Sequence, residues 1–226
     1  MTTTTARKIR LAESAEPVEV SALLMRPARA RWLLVFGHGA GVPMAHPFME
    51  GISEQLASCG IATFRYQFPY MERGKGPPDR QPVLVSTVRA AVDAAREAAG
   101  DLPLLAGGKS LGGRMTSLAA TDGTLSGVSG LVFFGFPLHP PRRPGTERAE
   151  HLERVQVPML FLQGTRDDLA GLKLLQPVCE RLGSRATLHV VDGADHSFNV
   201  LKRSGRTHEQ VLAELAAAVA QWAEGL

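Results

Sequence analysis

The stretch Gly107-Gly108-Lys109-Ser110-Leu111-Gly112-Gly113 constrains the fold of this 226-residue chain more than any other. It follows a short apolar run, Leu102-Pro103-Leu104-Leu105-Ala106, and opens a helix-like stretch from Leu111 to Asp122. A G-x-S-x-G sequence between a strand and a helix marks a sharp, strained turn that lifts the serine oxygen clear of a sheet. Glycine is required at 108 and 112 because a Cβ at either position would collide with neighbouring backbone. The bare pattern is common in loops, so its weight comes from the strand before it and the helix after it.

Two later strands carry matching chemistry. The run Val157-Pro158-Met159-Leu160-Phe161-Leu162 ends in Gln163-Gly164-Thr165-Arg166-Asp167-Asp168. The run Ala186-Thr187-Leu188-His189-Val190-Val191 ends in Asp192-Gly193-Ala194-Asp195-His196-Ser197-Phe198. A serine, an acid and a histidine therefore each follow the carboxyl end of a strand, the rim on which parallel sheets bind ligands. His196 is the candidate base, while His189 reads as a strand residue and His208 as a helix start. The acid is Asp167 or Asp168, with Asp192 and Asp195 behind them. Earlier, the strand Trp32-Leu33-Leu34-Val35-Phe36 runs into Gly37-His38-Gly39-Ala40-Gly41. That turn and the residue after the serine place the backbone N–H groups of Ala40 and Leu111 where they would hold an oxyanion. His38 reads as a structural member of the turn.

The chain order Ser, Asp, His is that of the α/β-hydrolases and differs from the chymotrypsin and subtilisin orders. The chain resembles that superfamily, in particular a small, lidless branch near dienelactone-hydrolase-like esterases. The stretches His38-Gly39-Ala40-Gly41, His46-Pro47-Phe48-Met49, Gly108-Lys109-Ser110-Leu111-Gly112-Gly113-Arg114 and Gly164-Thr165-Arg166-Asp167 resemble one subfamily. It comprises bacterial hydrolase-like proteins, a testis-expressed vertebrate protein and a subunit of a chromatin acetyltransferase complex. The resemblance covers roughly residues 18 to 225 and says little about substrate. It implies an α/β-hydrolase fold, with a mostly parallel central sheet, helices on both faces and no large cap domain. It also singles out Asp167, which fits the Gly-x-x-Asp position of the pattern. Ser110 stands where the dienelactone hydrolases carry a cysteine nucleophile.

Bulk properties agree. A chain of 226 residues with 44% hydrophobic content is expected to form one domain over 1–226, residues 1–6 being disordered. At that length about 70% of the unfolded surface is buried on folding. The net charge of +3 is spread without a dense Lys/Arg block, which argues against nucleic acid as a partner. Cys59 and Cys179 have neither metal-ligand nor disulfide-framework spacing, so a reducing, cytoplasmic setting is expected. No signal-like start and no run of about 18 apolar residues is present, so no membrane partner is expected.

Alternating strands and helices complete the pattern. Strands are expected at 7–12, 17–25, 32–36, 61–66, 102–106, 128–134, 157–162 and 186–191. Helices are expected at 46–58, 83–98 and 208–224, the last opened by a Thr207/Gln210 capping box. The loop 67–81 with Phe68, Tyr70 and Met71, and the segment 135–150 with Phe136, Leu138 and His139, are expected to shape a pocket near Ser110. Arg65, Arg73, Lys75 and Arg80 are either a solvated basic loop or a determinant for acidic substrates. The functional expectation is a cofactor-free serine hydrolase using Ser110, Asp167 and His196 on a small ester or thioester, as a monomer or weak homodimer. The alternative is a catalytically silent interaction protein on the same fold.

Overall fold

The computed structural model describes residues 1–11, 18–74, 76–123 and 125–226. Eight strands form one sheet: β1 (Thr2–Leu11), β2 (Val18–Pro27), β3 (Trp32–Gly37), β4 (Ile61–Tyr66), β5 (Leu104–Lys109), β6 (Val128–Phe134), β7 (Met159–Gly164) and β8 (Ala186–Val191). Their order across the sheet is β1-β2-β4-β3-β5-β6-β7-β8. The β1–β2 and β2–β4 pairs are antiparallel, and every pair from β4 to β8 is parallel. The helices are α1 (Pro47–Ser58), α2 (Pro69–Glu72), α3 (Gln81–Ala99), α4 (Leu111–Ala119), α5 (Leu172–Leu182) and α6 (His208–Ala223).

The buried strands are apolar on both faces because each face is covered by helices. Side chains alternate across the pleat, so one strand feeds two cores. Leu33 and Val35 of β3, Leu131 and Phe133 of β6, and Met159 and Phe161 of β7 join the core shared with α3, α4 and α5. Leu34 and Phe36, Val132 and Phe134, and Leu160 and Leu162 join the opposite core, shared with α1 and α6. After β3 the chain adds β4 on one side and then β5 on the other. That reversal leaves a crevice at the carboxyl ends of β3 and β5, where ligands bind in open parallel sheets.

Two sequence expectations change. Residues 1–6 are not disordered: Thr2–Ala6 continue β1 and pair with Leu23–Pro27. A run of threonines is β-branched and suits an edge strand, a preference that outweighs its lack of apolar residues. Residues 12 and 17, expected at strand ends, lie outside the described residues. Helix α5 has no counterpart in the sequence reading, and it carries Pro177, locally a helix breaker, in its interior. Its buried Leu175, Val178, Cys179 and Leu182 nevertheless fall at helical spacing. Between β6 and β7 the described residues hold one 3-10 segment, Glu147–Arg154, and no cap domain.

The α6 start is fixed as the sequence suggests. Thr207 Oγ1 accepts from the Gln210 N–H at 3.2 Å, and Gln210 Oε1 accepts from the Thr207 N–H at 2.8 Å. Val211, Leu215 and Val219 then face the core, with Trp222 partly buried beside them. Thr207→Ala removes one capping acceptor and is expected to destabilise the protein by about 1 kcal/mol. Urea unfolding of the variant against the parent measures this, and a change below a few tenths of a kcal/mol would show that the cap carries no weight here.

Candidate active site

The turn between β5 and α4 is as crowded as its glycines imply. A Cβ on Gly108 would lie 2.6 Å from Gly37 O, and one on Gly112 would lie 2.3 Å from the same oxygen. The first turn of α4 thus rests directly on the end of β3. Between these glycines Ser110 adopts φ 50° and ψ −109°, a region that L-residues rarely occupy. Its N–H donates to Phe134 O of β6 at 3.1 Å, which holds the turn in place. Such a conformation costs on the order of 1–3 kcal/mol and persists where the surroundings enforce it.

Three side chains meet at this turn. Ser110 Oγ lies 2.9 Å from His196 Nε2, and His196 Nδ1 lies 2.8 Å from Asp167 Oδ2. Asp167 is 3% exposed. Its Oδ2 also accepts from Gln163 Nε2 at 2.7 Å, and its Oδ1 accepts from the Leu169 N–H at 2.8 Å. Burial by itself would raise the Asp167 carboxyl. The His196 and Leu169 hydrogen bonds and the charge of Lys109 outweigh burial and hold the carboxyl below its ordinary value. An ionised Asp167 only accepts, so the proton sits on His196 Nδ1 and Nε2 is free to accept from Ser110. The rival acids are elsewhere: Asp168 is exposed, Asp192 accepts from Thr165 Oγ1 at 3.3 Å, and Asp195 Oδ1 accepts from the Ser197 and Asn199 N–H groups. His189 pairs with Glu214 at 3.0 Å.

On the other side of Ser110 the turn after β3 is held by His38, which is fully buried. Its Nδ1 donates to Gly39 O at 2.8 Å, and its Nε2 accepts from the Phe68 N–H at 3.0 Å. Both ring nitrogens are thus committed to backbone, as suits a structural residue. Burial pulls its pKa down to about 4. Leu111 is the first residue of α4, where N–H groups lack a helical acceptor, and exposed Ala40 lines the cavity beside Ser110.

That cavity, of about 580 Å³, is lined by Val42, His46, Pro47, Phe48, Met49 and Leu169, among others, with Ser110 and His196 in its wall. It lies over α1 and the start of α6, away from the loops the sequence suggested. Phe68, Tyr70, Phe136, Leu138 and His139 are buried in packing and do not line it. Among the basic residues of loop 67–81, Arg73 pairs with Asp79 at 2.6 Å and Arg80 is exposed. Arg65 is buried and donates to Met44 O at 3.1 Å, and Lys75 lies outside the described residues. The solvated-loop reading therefore holds for Arg73 and Arg80. Cys59 is only partly buried.

Two side chains at the site escaped the sequence reading. Gln163 is a fully buried polar residue on the otherwise apolar β7, and that exception to the strand pattern was its available signal. Lys109, given no role by the sequence pattern, is 7% exposed and has no hydrogen-bond partner for Nζ among the described residues.

The sequence model of the alpha/beta hydrolase domain family matches residues 30–224, and the chain belongs to that family. Among solved structures, dienelactone hydrolase from Anabaena variabilis superposes with a TM-score of 0.74 at 20% identity, covering 98% of this chain and 96% of that one. An alpha-beta serine hydrolase homologue from Coxiella burnetii gives 0.74 at 17% identity, covering 95% and 96%. A serine hydrolase without a lid from Xanthomonas campestris gives 0.71 at 18% identity, covering 97% and 94%. These likenesses define the fold as the lidless, dienelactone-hydrolase-like form. No helix of the described residues is long and apolar enough to cross a membrane.

The strained turn and the buried histidine each lead to a measurable consequence. Ser110→Gly removes the φ strain, on the order of 1–3 kcal/mol, and adds about 0.5–1 kcal/mol of unfolded-state entropy. The variant is therefore expected to be more stable than the parent by about 1 kcal/mol in denaturant unfolding, and a less stable variant would show that the turn is not strained. His38 has a folded pKa of about 4 against an ordinary 6.5. The unfolded chain binds this proton first as the pH falls, so stability is complete above 6.5 and is lost down to about 4. The loss expected from His38 is on the order of 3 kcal/mol. Half-buried His151, also lowered to about 4, acts in the same direction. Unfolding free energies across this window should fall less steeply in His38→Gln than in the parent.

Proposed function

We propose that this protein is a serine hydrolase that cleaves small ester or thioester bonds through an acyl-enzyme intermediate. The observation that carries the reading is the continuous Ser110–His196–Asp167 hydrogen-bond chain, at 2.9 and 2.8 Å, opening on a cavity. Ser110 Oγ attacks the acyl carbon while its proton passes to His196 Nε2, and that proton then leaves with the alcohol or thiol. Asp167 holds the imidazole in the required tautomer and stabilises the imidazolium. The N–H groups of Ala40 and Leu111 receive the developing oxyanion, an interaction worth about 2.7–4 kcal/mol of barrier per donor. Water, activated by the same histidine, then releases the acid and restores Ser110.

The cavity supports a small acyl group. Its size falls within the range of small-molecule sites, about 300–1,000 Å³. Val42, Pro47, Phe48, Met49 and Leu169 offer apolar contact, and none of its lining residues is acidic. The substrate is thus a neutral or anionic acyl compound of short chain.

A fluorophosphonate probe tests the reading, because it reacts with an activated serine whatever the substrate is. Wild-type protein should be labelled and Ser110→Ala should not, with turnover of p-nitrophenyl acetate falling by at least about three orders of magnitude. Folded wild-type protein that takes no label would overturn the reading in favour of an interaction protein on this fold.

A further inference from the structure

Acyl transfer leaves Lys109, the residue next to Ser110, without a role. Its side chain is buried, and its Nζ has no hydrogen-bond partner among the described residues. The ammonium lies 5.9 Å from the ring centre of Phe48 and 5.7 Å from that of Phe198. Those rings stack on each other at 5.8 Å with 13° between their planes. Gly135, at the end of β6, marks what lies on the other side. A Cβ there would be 3.2 Å from Lys109 Nζ, 3.3 Å from His196 Nδ1 and 3.4 Å from Asp167 Oδ2. The ammonium and the Asp167–His196 hydrogen bond therefore border the same small space. The charged and titratable groups acting on or bordering Lys109 are the Asp167 and Asp195 carboxylates and the His196 imidazole.

A buried ammonium is unfavourable in such a place, because its desolvation is only partly offset by the two rings. A methionine of similar length would fill the same volume without that penalty, so packing does not account for the charge. The effect that does require a cation is electrostatic. A positive charge beside the Asp167–His196 pair favours ionised Asp167 and opposes a second positive charge on the imidazole.

We propose that Lys109 is a positioning residue of the site, whose ammonium sets the charge state of the Asp167–His196 pair and keeps a base available to Ser110 at lower pH. This rests on the serine-hydrolase reading above. The same charge also opposes the imidazolium formed during turnover, so it widens the working range without raising the maximal rate. Burial draws the Lys109 pKa down to about 8, with Asp167 and Asp195 opposing that shift, so the ammonium is largely intact at neutral pH.

The test is the pH profile of kcat/KM for p-nitrophenyl acetate in wild type, Lys109→Met, Lys109→Arg and Ser110→Ala. The acid limb of Lys109→Met is expected about one unit higher than that of wild type, with a plateau no lower. Lys109→Arg, which keeps the charge, should leave the limb at its wild-type position. A folded Lys109→Met with the wild-type limb overturns the proposal while leaving the hydrolase reading intact. Turnover that survives in Ser110→Ala overturns both. If Lys109→Met does not fold, the wild-type protein decides through the downfield NMR signal of the proton between His196 and Asp167. That signal should shift with an inflection at about 8 as Lys109 loses its proton, and a signal with no such inflection overturns the proposal.

Discussion

The carbonyl oxygen of Gly37 lies against the backbone of Gly108 and Gly112, and the rest of the site hangs from that contact. No side chain intervenes: Cβ atoms added to these glycines would fall 2.6 and 2.3 Å from it. Because the first turn of α4 cannot move away from β3, the residues between the strand and the helix have one path to follow. Ser110 takes the strained conformation on that path, and its side chain is directed off the end of the sheet. The same contact sets the turn after β3 beside the start of α4, so the N–H groups of Ala40 and Leu111 come from two segments that the fold clamps together. Tyr66 extends the clamp from β4, since its hydroxyl would sit 2.7 Å from a Cβ on Gly37.

Strain of this kind survives only if neighbouring structure resists relaxation. Two of the non-glycine residues with positive φ, Ser110 and Phe198, lie in or beside the Ser110–His196–Asp167 hydrogen-bond chain, and each has its own anchor. Ser110 is tied to β6 through Phe134 O, and Gly135 is tied in turn to Leu162 O of β7 at 2.9 Å. Phe198, two residues past His196, is fully buried and stacks on Phe48 of α1. Burying an aromatic side chain of this size is worth about 1.5–3 kcal/mol, comparable to the strain at one residue. The loop carrying His196 is therefore held by the core on one side of it and by the Asp195 carboxylate, which accepts two backbone N–H groups, on the other. The side chains of Ser110, His196 and Asp167 need little mobility to meet because their supports have already met.

The sequence carried these parts unequally. The strands and long helices were legible because apolar periodicity reports burial directly, and the elbow was legible because its glycines answer a steric demand. The terminal strand Thr2–Ala6 was not, since an edge strand exposed on both faces has no apolar alternation to read. Helix α5 was not legible either, and it carries Pro177, which ranks as a breaker in local terms although tertiary packing tolerates it here. For the acid, the residues alone left Asp167 and Asp168 open, and the resemblance favoured Asp167. Asp167 and Asp168 are adjacent in sequence, yet one is buried against His196 and Gln163 while the other is exposed. The cavity walls were misplaced for a similar reason: aromatic residues in loops 67–81 and 135–150 serve as packing, and which loop residues face a crevice depends on contacts between segments far apart in the chain.

His38 and His196 show how those contacts, more than residue type, decide chemistry. Both follow parallel strands of the sheet and both border Ser110's turn. His38 gives its Nδ1 proton to Gly39 O and takes the Phe68 N–H on Nε2. Burial disfavours a charge on this ring and pulls its pKa down to about 4, with the bond to Gly39 O opposing that shift. His196 makes the same two kinds of bond with different partners. Its Nδ1 donates to a carboxylate, and its Nε2 faces a serine hydroxyl that has a proton to give. One histidine is thereby locked into the scaffold of the turn, while the other joins a buried carboxylate to the Ser110 hydroxyl.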